Sequence, residues 1–457
     1  MTFPNPAGDT AGRYVCEAGD DMKKSCEDVL SRLEDAGYEA YMVGGCVRDS
    51  IMGRNVHDTD ITTSAHPEEV TAVFGEENII PTGIKHGTVT VYKEYEVTTY
   101  RIDGSYKDSR RPESVTFTRS LEEDLSRRDF TVNAIAMDIR GSIIDPFGGR
   151  EDIARKLIRC VGEPEKRFSE DALRILRAVR FASQLGFGIE ESTAAAIHSM
   201  CGLLRNISHE RVREELDKLI CGENCVKVLL DFSDVITAVI PEFKPSIGFE
   251  QRTPYHRYDV WEHTVRAMAA SPAEDMVLRR TLFFHDIGKP ACATYDETGR
   301  GHFKGHDKAG AEMTGEIMKR LRWDNHTIDT TVTLISVHSE KLKTRADVKR
   351  MMSRIGDELF FKLMEMKKCD NLGKNDFVAE ENKFFDSLIA DGREIVENDE
   401  CRSLQGLAVS GRDMIAAGLS GEYVGAALAA LLEQVIAGAL PNEKAVLMDY
   451  VRRTFNA

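Results

Sequence analysis

The feature that most constrains the fold of this chain is a pair of motifs that follow a short apolar run. The run AYMV at 40–43 has the length of a strand and ends at GGCVRD, residues 44–49. A Gly-Gly turn that opens a helix can present backbone N–H groups to phosphate oxygens, because glycine has no side chain to block the approach. Asp58 and Asp60 follow at the edge of a second apolar segment, and strand alternation would place both carboxylates on one face. Together the motifs predict a site for divalent metal beside a triphosphate, which favours nucleotidyl transfer.

A third acidic ligand and a set of polar groups complete the candidate site. Glu96 opens an apolar strand that could lie beside the Asp58–Asp60 segment, although an ordinary carboxylate at a hairpin edge fits it equally well. In RRDFTVNA at 127–134, the Arg128 guanidinium can donate two hydrogen bonds to a phosphate, and the side chains of Asp129 and Asn133 can hydrogen-bond to ribose hydroxyls. The alternative for this segment is a surface loop whose charges face water.

Composition sets the class of the protein. Its 457 residues are 42% hydrophobic and 30% charged, which is typical of a globular chain with three or four domains. The net charge of −16 argues against non-specific coating of nucleic acid. Ten cysteines without a CxxC pair indicate reduced thiols, and we find neither a signal peptide nor an apolar run of membrane-spanning length. We therefore expect a cytoplasmic protein that does not associate with membranes.

The pattern of elements changes near residue 150. Before it, apolar alternation predicts hairpins at 89–92 with 97–100 and at 134–139 with 142–144; after it, the spacing is almost wholly helical. We predict an α+β fold with an α/β head and a long all-α neck, body and tail. The predicted segments are an N-terminal tail at 1–25, a head at 26–150, a neck at 151–245, a body at 246–375 and a C-terminal tail at 376–457. The predicted helices are 171–185, 190–204, 210–219, 260–270, 278–284, 308–321, 328–338, 358–369 and 422–451, the last with a break at Pro441.

A pair of charges near the start of the neck offers a way to read a base. Asp171 and Arg174 are three residues apart, so on one helix they share a face. One acceptor beside one bidentate donor can match the hydrogen-bonding edge of a base. A routine salt bridge, worth a few tenths of a kcal/mol, is the simpler alternative.

Five motifs in this order resemble those of class II tRNA nucleotidyltransferases, the CCA-adding enzymes. These belong to the polymerase β-like superfamily, which also contains bacterial poly(A) polymerases. The matching residues are 44–49 with 58–60, 127–134, 145–149 with Asp152, 170–177, and the set Arg211, Glu215 and Lys218. The last set resembles the motif that braces the neck helices and contributes to RNA binding.

The resemblance implies a role for each matching residue. Asp58 and Asp60 would bind two Mg²⁺ ions, with Glu96 completing the cage. The nucleotide-binding residues it implies are Gly44, Gly45 and Arg48 for the triphosphate, Arg128, Asp129 and Asn133 for the ribose, and Asp171, Arg174 and Arg177 for the base. The partners would be tRNA, CTP and ATP, with no obligate protein partner. The loop at 106–119 and the hinge at 145–149 would move between C and A addition. A loop of full length favours complete CCA addition over poly(A) synthesis or a partial CC- or A-adding activity.

A second constellation lies in the body. His263, the pair His285 and Asp286, and Asp370 recur on successive predicted helices, which suits a divalent or transition metal. They resemble the four core ligands of the HD phosphohydrolase superfamily, so the body would be an HD domain. His306 and His338 match the extra ligands of its binuclear members. The rival function from another class is therefore a metal-dependent phosphohydrolase, although such a module can also be purely structural.

Overall fold

The computed structural model describes residues 25–56, 58–104, 114–254, 256–374 and 379–455. They form two compact units. The first holds the described residues from 25 to 155 together with 160–162, and the second holds 156–159 and the described residues from 163 to 455. The α+β class is confirmed, and the first unit ends close to the predicted end of the head. The finer division of the helical part at 245 and 375 stays a prediction.

The first unit is a mixed sheet with short helices. Its helices and strands, in chain order, are α1 (Cys26–Asp35), β1 (Ala40–Val43), α2 (Gly45–Ile51), β2 (Asp60–Thr63), α3 (Pro67–Phe74), β3 (Ile79–Gly83), β4 (Thr88–Val91), β5 (Tyr95–Thr99), β6 (Arg101–Asp103), β7 (Val115–Phe117), α4 (Leu121–Ser126), β8 (Ala136–Met137), β9 (Ile143–Ile144) and α5 (Gly149–Arg155). A 3₁₀ turn at Thr131–Asn133 lies between α4 and β8. Both predicted hairpins are present, as β4–β5 and β8–β9.

The sheet has seven strands in the order β3-β4-β5-β2-β1-β8-β9. The β2–β5 pair is parallel and pairs Asp60 with Glu96. Leu30 and Leu33 of α1 pack in a buried cluster with Ile61 and Val97, so apolar contacts fix the central strands. Asp60 is the first residue of β2 and Asp58 precedes the strand, so the expectation that one strand carries both carboxylates was wrong.

The second unit is helical. Its elements, in chain order, are β10 (Leu157–Ile158), α6 (Pro164–Glu170), α7 (Leu173–Leu185), β11 (Gly188–Ile189), α8 (Glu191–Met200), α9 (His209–Ile220), α10 (Cys225–Asp231), α11 (Ser233–Val239), α12 (Val260–Ala269), α13 (Met276–Phe284), α14 (Lys289–Cys292), β12 (Thr294–Tyr295), β13 (Gly301–His302), α15 (His306–Arg320), α16 (Asn325–Val337), α17 (Arg345–Ile355), α18 (Asp357–Leu372), α19 (Ala379–Glu397), α20 (Gly411–Ala416), α21 (Glu422–Ile436) and α22 (Lys444–Phe455). No helix among the described residues combines the length and apolarity needed to cross a membrane.

Side-chain caps set several helix ends that apolar spacing did not locate. Asp259, Asp275 and Asp324 each accept a hydrogen bond from the backbone N–H three residues on and so start α12, α13 and α16. Asp171 likewise accepts a hydrogen bond from a backbone N–H, that of Leu173 two residues on, and α7 begins at Leu173. The predicted helix from 171 is therefore wrong at its start, and Asp171 lies between α6 and α7. The break near Pro441 is confirmed by the gap between α21 and α22.

Candidate functional site

The head carboxylates lie at the ends of two neighbouring central strands. Asp60 begins β2, and Glu96 is its partner on β5, so both side chains share one face of the sheet. Asp58 lies two residues earlier and is exposed. The pKa of Asp60 is raised, first by the protein packed around it and then by the neighbouring Asp58 charge, while Arg128 opposes the rise. Among the described residues, the oxygens of these three carboxylates do not converge within 4.8 Å of one another.

Gly44 links β1 to α2 directly beside these carboxylates. Its φ is 84°, a left-handed conformation that favours glycine. A Cβ on Gly44 would lie 3.3 Å from Arg128 Nη1 and 3.7 Å from Asp60 Oδ2. The turn, the guanidinium and the Asp60 carboxylate therefore meet at one point, and only glycine leaves that point open.

The residues predicted for triphosphate and ribose form one hydrogen-bonded chain. Arg48 is buried; it donates from Nη1 to Asn133 Oδ1 at 2.7 Å and pairs with the adjacent Asp49. Asn133 Nδ2 donates to Asp129 Oδ1 at 3.2 Å, and Asp129 also accepts from the Phe130 N–H. The structure thus brings together GGCVRD and RRDFTVNA, which are more than eighty residues apart in sequence.

In the helical unit the predicted base-reading pair has other partners. Asp171 pairs with Arg211, whose Nη2 lies 2.8 Å from Asp171 Oδ2. Arg174 pairs with Glu170 at 2.7 Å. The alternative of a routine bridge between Asp171 and Arg174 is therefore wrong, because each charge is held by a different neighbour.

The neck residues form a buried brace. Glu215 on α9 accepts from Arg180 Nε of α7 at 2.7 Å, and Arg177 lies 3.7 Å away from the same carboxylate. Glu215 and Arg180 are both buried, so this ion pair joins two packed helices. Lys218 is exposed on α9.

The predicted ligands of the body converge on Asp286. Ligand atoms of His263, His285, Asp286 and Asp370 lie within 4.8 Å of one another, as do those of Asp286, His306 and His338. On one side, Asp286 Oδ2 lies 3.2 Å from the Nε2 atoms of both His263 and His285. On the other side, Asp286 Oδ1 lies 3.5 Å from His306 Nε2 and 3.8 Å from His338 Nε2. One carboxylate therefore stands between two groups of imidazoles.

Backbone carbonyls orient all four rings. The Nδ1 atoms of His263, His285, His306 and His338 lie 2.7–3.0 Å from the carbonyl oxygens of Gly373, Leu282, Phe303 and Ile335. When Nδ1–H donates to a carbonyl, Nε2 presents a lone pair, as a metal ligand requires. Nε2 of His263 and Nε2 of His285 are buried without a hydrogen-bond partner, which fits an ion bound at these two atoms.

The charges of this cluster perturb one another strongly. Burial opposes the charged form of each group, but Asp286 and Asp370 raise the pKa of His285 to about 9. Burial and the neighbouring His285 lower the pKa of His338 to about 3. Burial raises the pKa of Asp286 and Asp370, but the imidazoles and lysines beside them more than reverse that and hold it well below the usual range.

Sequence reasoning missed several groups around this cluster. Lys289 Nζ lies 2.6 Å from Asp286 Oδ2, and Lys374 Nζ lies 2.7 Å from Asp370 Oδ2. Both lysines and His256 line a cavity of about 1080 Å³ that opens onto Asp286 and Asp370. Lys289 follows Asp286 by three residues, and Lys374 follows Asp370 by four. This helical spacing could have indicated both ion pairs.

Two predicted features lie outside the described residues. These are the predicted N-terminal tail up to residue 24 and the part of the predicted mobile loop from 106 to 113.

Comparison with known families matches three parts of the chain. The model of the poly(A) polymerase head domain matches 40–159, that of a probable RNA- and SrmB-binding site of polymerase A matches 186–246, and that of a putative second domain of tRNA nucleotidyltransferases matches 308–451. The CCA-adding enzyme of Levilactobacillus brevis is 36% identical over 427 residues, covering 93% of this chain and 96% of that protein.

Other relatives match more closely over a shorter stretch. The CCA-adding enzymes of Lactobacillus helveticus and Geobacillus stearothermophilus are 54% and 57% identical over 47% and 44% of this chain. These matches span about half the length of the two relatives, 54% and 50%. Among solved structures, the Bacillus stearothermophilus CCA-adding enzyme in complex with CTP has a TM-score of 0.69 and 32% identity, covering 94% of this chain and 96% of that one. The Thermotoga maritima enzyme complexed with tRNA, with a TM-score of 0.58 and 20% identity, shares the fold.

Proposed function

Because this chain belongs to the family of CCA-adding enzymes, we propose that it adds C, C and A to the 3′ end of tRNA, using CTP and ATP. The observation that carries the proposal is the meeting of Gly44, Arg128 and Asp60 at the end of the central strand pair β2–β5. The 3′-hydroxyl of tRNA attacks the α-phosphate of the nucleotide, and pyrophosphate leaves. A tRNA-processing enzyme of this kind works in the cytoplasm.

The head residues fit divalent metal. Asp58, Asp60 and Glu96 offer hard oxygen ligands, of which Asp60 and Glu96 share one face of the sheet, and the raised pKa of Asp60 reflects a carboxylate that an ion would stabilise. Two Mg²⁺ ions held there would neutralise phosphate charge and polarise the reacting oxygens. Gly44 leaves room for a phosphate to approach, Arg128 offers its guanidinium to it, and Asn133 and Asp129 offer an amide and a carboxylate to the ribose.

Base selection falls to Asp171 and Arg174 of the helical unit. To read a base, Asp171 must release Arg211, and Arg174 must release Glu170. Arg177 takes part in binding the nucleotide, and Arg211, Glu215 and Lys218 brace the neck and contribute to RNA binding. Exchange of partners within this ion-pair set gives the protein a way to present different hydrogen-bonding patterns to C and A.

The test is incorporation of radiolabelled CTP and ATP into a tRNA that ends at its discriminator base, read at nucleotide resolution. Three added residues and a stop support the proposal. Two C residues and a stop indicate a CC-adding enzyme, and a ladder of A residues indicates a poly(A) polymerase. The double variant Asp58→Ala, Asp60→Ala serves as the control and should add nothing.

We propose a second activity, metal-dependent phosphohydrolysis, at the Asp286 cluster. The convergence of four carbonyl-oriented imidazoles on one buried carboxylate favours it. His263, His285, Asp286 and Asp370 would hold one divalent or transition-metal ion, and His306 and His338 would add a second that shares Asp286. Release of phosphate from p-nitrophenyl phosphate in the presence of Mn²⁺ or Ni²⁺, abolished by His285→Ala, would support it; no release under any of these metals would leave the cluster a structural metal site.

A further inference from the structure

A buried aspartate behind the head site has no assigned role. Asp124 on α4 is 0% exposed, and its carboxylate joins three segments of the first unit. Its Oδ2 accepts from Thr62 Oγ1 of β2 at 3.0 Å, and its Oδ1 accepts from the Arg101 N–H of β6 at 3.3 Å. Arg127 donates to Oδ1 from Nε at 2.9 Å, and Arg128 Nη2 lies 3.6 Å from Oδ2.

Arg128 is the partner through which Asp124 reaches the site. The Arg128 side chain is only 18% exposed, and burial lowers its pKa while the Asp124 charge opposes that effect most strongly. On its other side, Arg128 Nη1 lies 3.3 Å from the position that a Gly44 Cβ would take, next to Asp60 Oδ2. Asp124 therefore holds Arg128 from behind while the guanidinium faces the Gly44 turn and the metal-binding carboxylate.

We propose that Asp124 is a positioning residue for nucleotide binding, which fixes the Arg128 guanidinium where it meets the anionic part of the nucleotide. This inference rests on the proposed function of the head. Thr62 ties the same carboxylate to β2, two residues after Asp60, so the distance between Arg128 and Asp60 is set by one hydrogen-bonded group. Without the Asp124 charge, the guanidinium is left beside Asp60, because Arg128 Nη1 and Asp60 Oδ2 both lie within 4 Å of the Gly44 Cβ position, and Asp60 is the carboxylate that metal must use.

The consequence is selective. Asp124→Asn keeps the shape of the side chain but removes its charge, so Arg128 loses its fixed position and competes with metal for Asp60. We expect the KM for both CTP and ATP to rise about 10- to 100-fold, which is the range of losses seen when a group that orients a metal-binding side chain is removed. The order of C and A addition should not change, because the partners of Asp124 belong to the head, whereas the residues proposed to read the base belong to the helical unit. A purely structural role would lower the melting temperature without changing the KM of the folded fraction.

Two threonines on β2 provide a matched comparison. Thr62 Oγ1 donates to Asp124, whereas Thr63 Oγ1 donates to the Glu39 carbonyl at 2.6 Å on the opposite face. Both are 0% exposed, and each substitution to valine removes a buried hydroxyl of the same size. Thr62→Val should raise the KM for nucleotide severalfold, and Thr63→Val should leave it unchanged at a similar loss of stability.

The experiment measures KM and kcat for each nucleotide, together with equilibrium binding of CTP in the absence of tRNA, for the full chain and the three variants. Weaker CTP binding in Asp124→Asn and Thr62→Val, but not in Thr63→Val, supports the proposal. A folded Asp124→Asn protein with unchanged KM overturns it; if that variant does not fold, an unchanged KM in Thr62→Val does so instead. If the unmodified chain adds no nucleotides, the proposed function fails, and CTP binding still decides the role of Asp124.

Discussion

The two regions proposed to bind metal differ in how far the protein has assembled them. In the head, Asp60 and Glu96 share one face of the sheet and Asp58 precedes β2, and within the described residues the three carboxylates do not converge. In the helical unit, imidazoles whose rings are fixed by backbone carbonyls already surround Asp286. Carboxylates repel one another until a cation arrives, whereas in the helical cluster the His285 imidazole, whose pKa is raised by the aspartates, and the ammonium groups of Lys289 and Lys374 offset the aspartate charges without it. We therefore expect the head to exchange its ions with each nucleotide and the helical cluster to retain its ion.

The largest effect should come from removing a head carboxylate. Asp60→Ala removes the carboxylate at the start of β2. The metal proposed to stabilise the negative charge of the transition state then loses a ligand, and we expect nucleotide addition to fall by about 10³-fold or more. Single-turnover incorporation of CTP into tRNA measures it. Metal retained by the helical cluster, read by elemental analysis after gel filtration, should not change. Loss of that metal in Asp60→Ala would contradict the separation of the two sites.

The second largest effect should come from removing a candidate metal ligand of the helical cluster. His285→Ala removes an imidazole whose Nε2 lies 3.2 Å from Asp286 Oδ2, and we expect affinity for Ni²⁺ or Co²⁺ to fall on the order of 10²-fold. Competition with a chromophoric chelator gives the affinity. Addition of CCA by the same variant should stay within twofold of the unmodified chain. A matched control is His302→Ala, an exposed histidine that pairs with Asp296 and is not one of the candidate ligands, which should retain the metal.

The difference between local and long-range contacts determines which of these features could be predicted from the sequence. Strand β1 and the Gly-Gly turn were predictable because length, apolarity and glycine act locally. The position of Glu96 opposite Asp60 was only one of two interpretations left open, because the register between β2 and β5 depends on packing between residues thirty-six positions apart. Asp124 could not be found, since its partners come from three separate segments.

Local spacing also misled where a distant partner was better placed. Asp171 and Arg174 have helical spacing, yet Arg211, forty residues away, holds Asp171. The six metal-ligand candidates of the body were predictable because histidine is rarely repeated with aspartate on successive helices without a ligand. Their common orientation by carbonyls, and the two lysines that neutralise the aspartates, depend on the packed fold.

A smaller effect should appear in the stability of the metal-free protein across pH. His285 has a folded pKa of about 9, above its ordinary 6.5, so its stabilisation is complete below pH 6.5 and is lost as the pH rises through 9. A pKa difference of one unit corresponds to about 1.4 kcal/mol, so we expect a loss of roughly 2–3 kcal/mol over this range. His338 and His256, each with a pKa of about 3, act in the opposite sense and destabilise the fold as the pH falls below 6.5.

Urea unfolding of the chelator-treated chain from pH 5 to pH 9 tests this balance. Stability should be greatest near pH 6.5, and His285→Gln should flatten the alkaline side only. The described residues of the head site include no comparable buried imidazole, so activity of the head should not follow this curve. Stability that rises steadily to pH 9 would show that His285 is neutral in the folded protein.

The smallest effect distinguishes the two halves of the helical cluster. His306 lies 3.5 Å from Asp286 Oδ1, on the side away from His263 and His285, and its side chain, 13% exposed, lines the cavity. His306→Ala should therefore reduce the bound metal from two ions to one, while affinity for the remaining ion changes less than about tenfold, because its four ligands are intact. Titration with Mn²⁺, followed by electron paramagnetic resonance, gives the stoichiometry and the coupling between neighbouring ions. Retention of a coupled pair would mean that His338 and Asp286 suffice for the second ion, and loss of both ions would mean that the cluster binds metal only as a single cooperative unit.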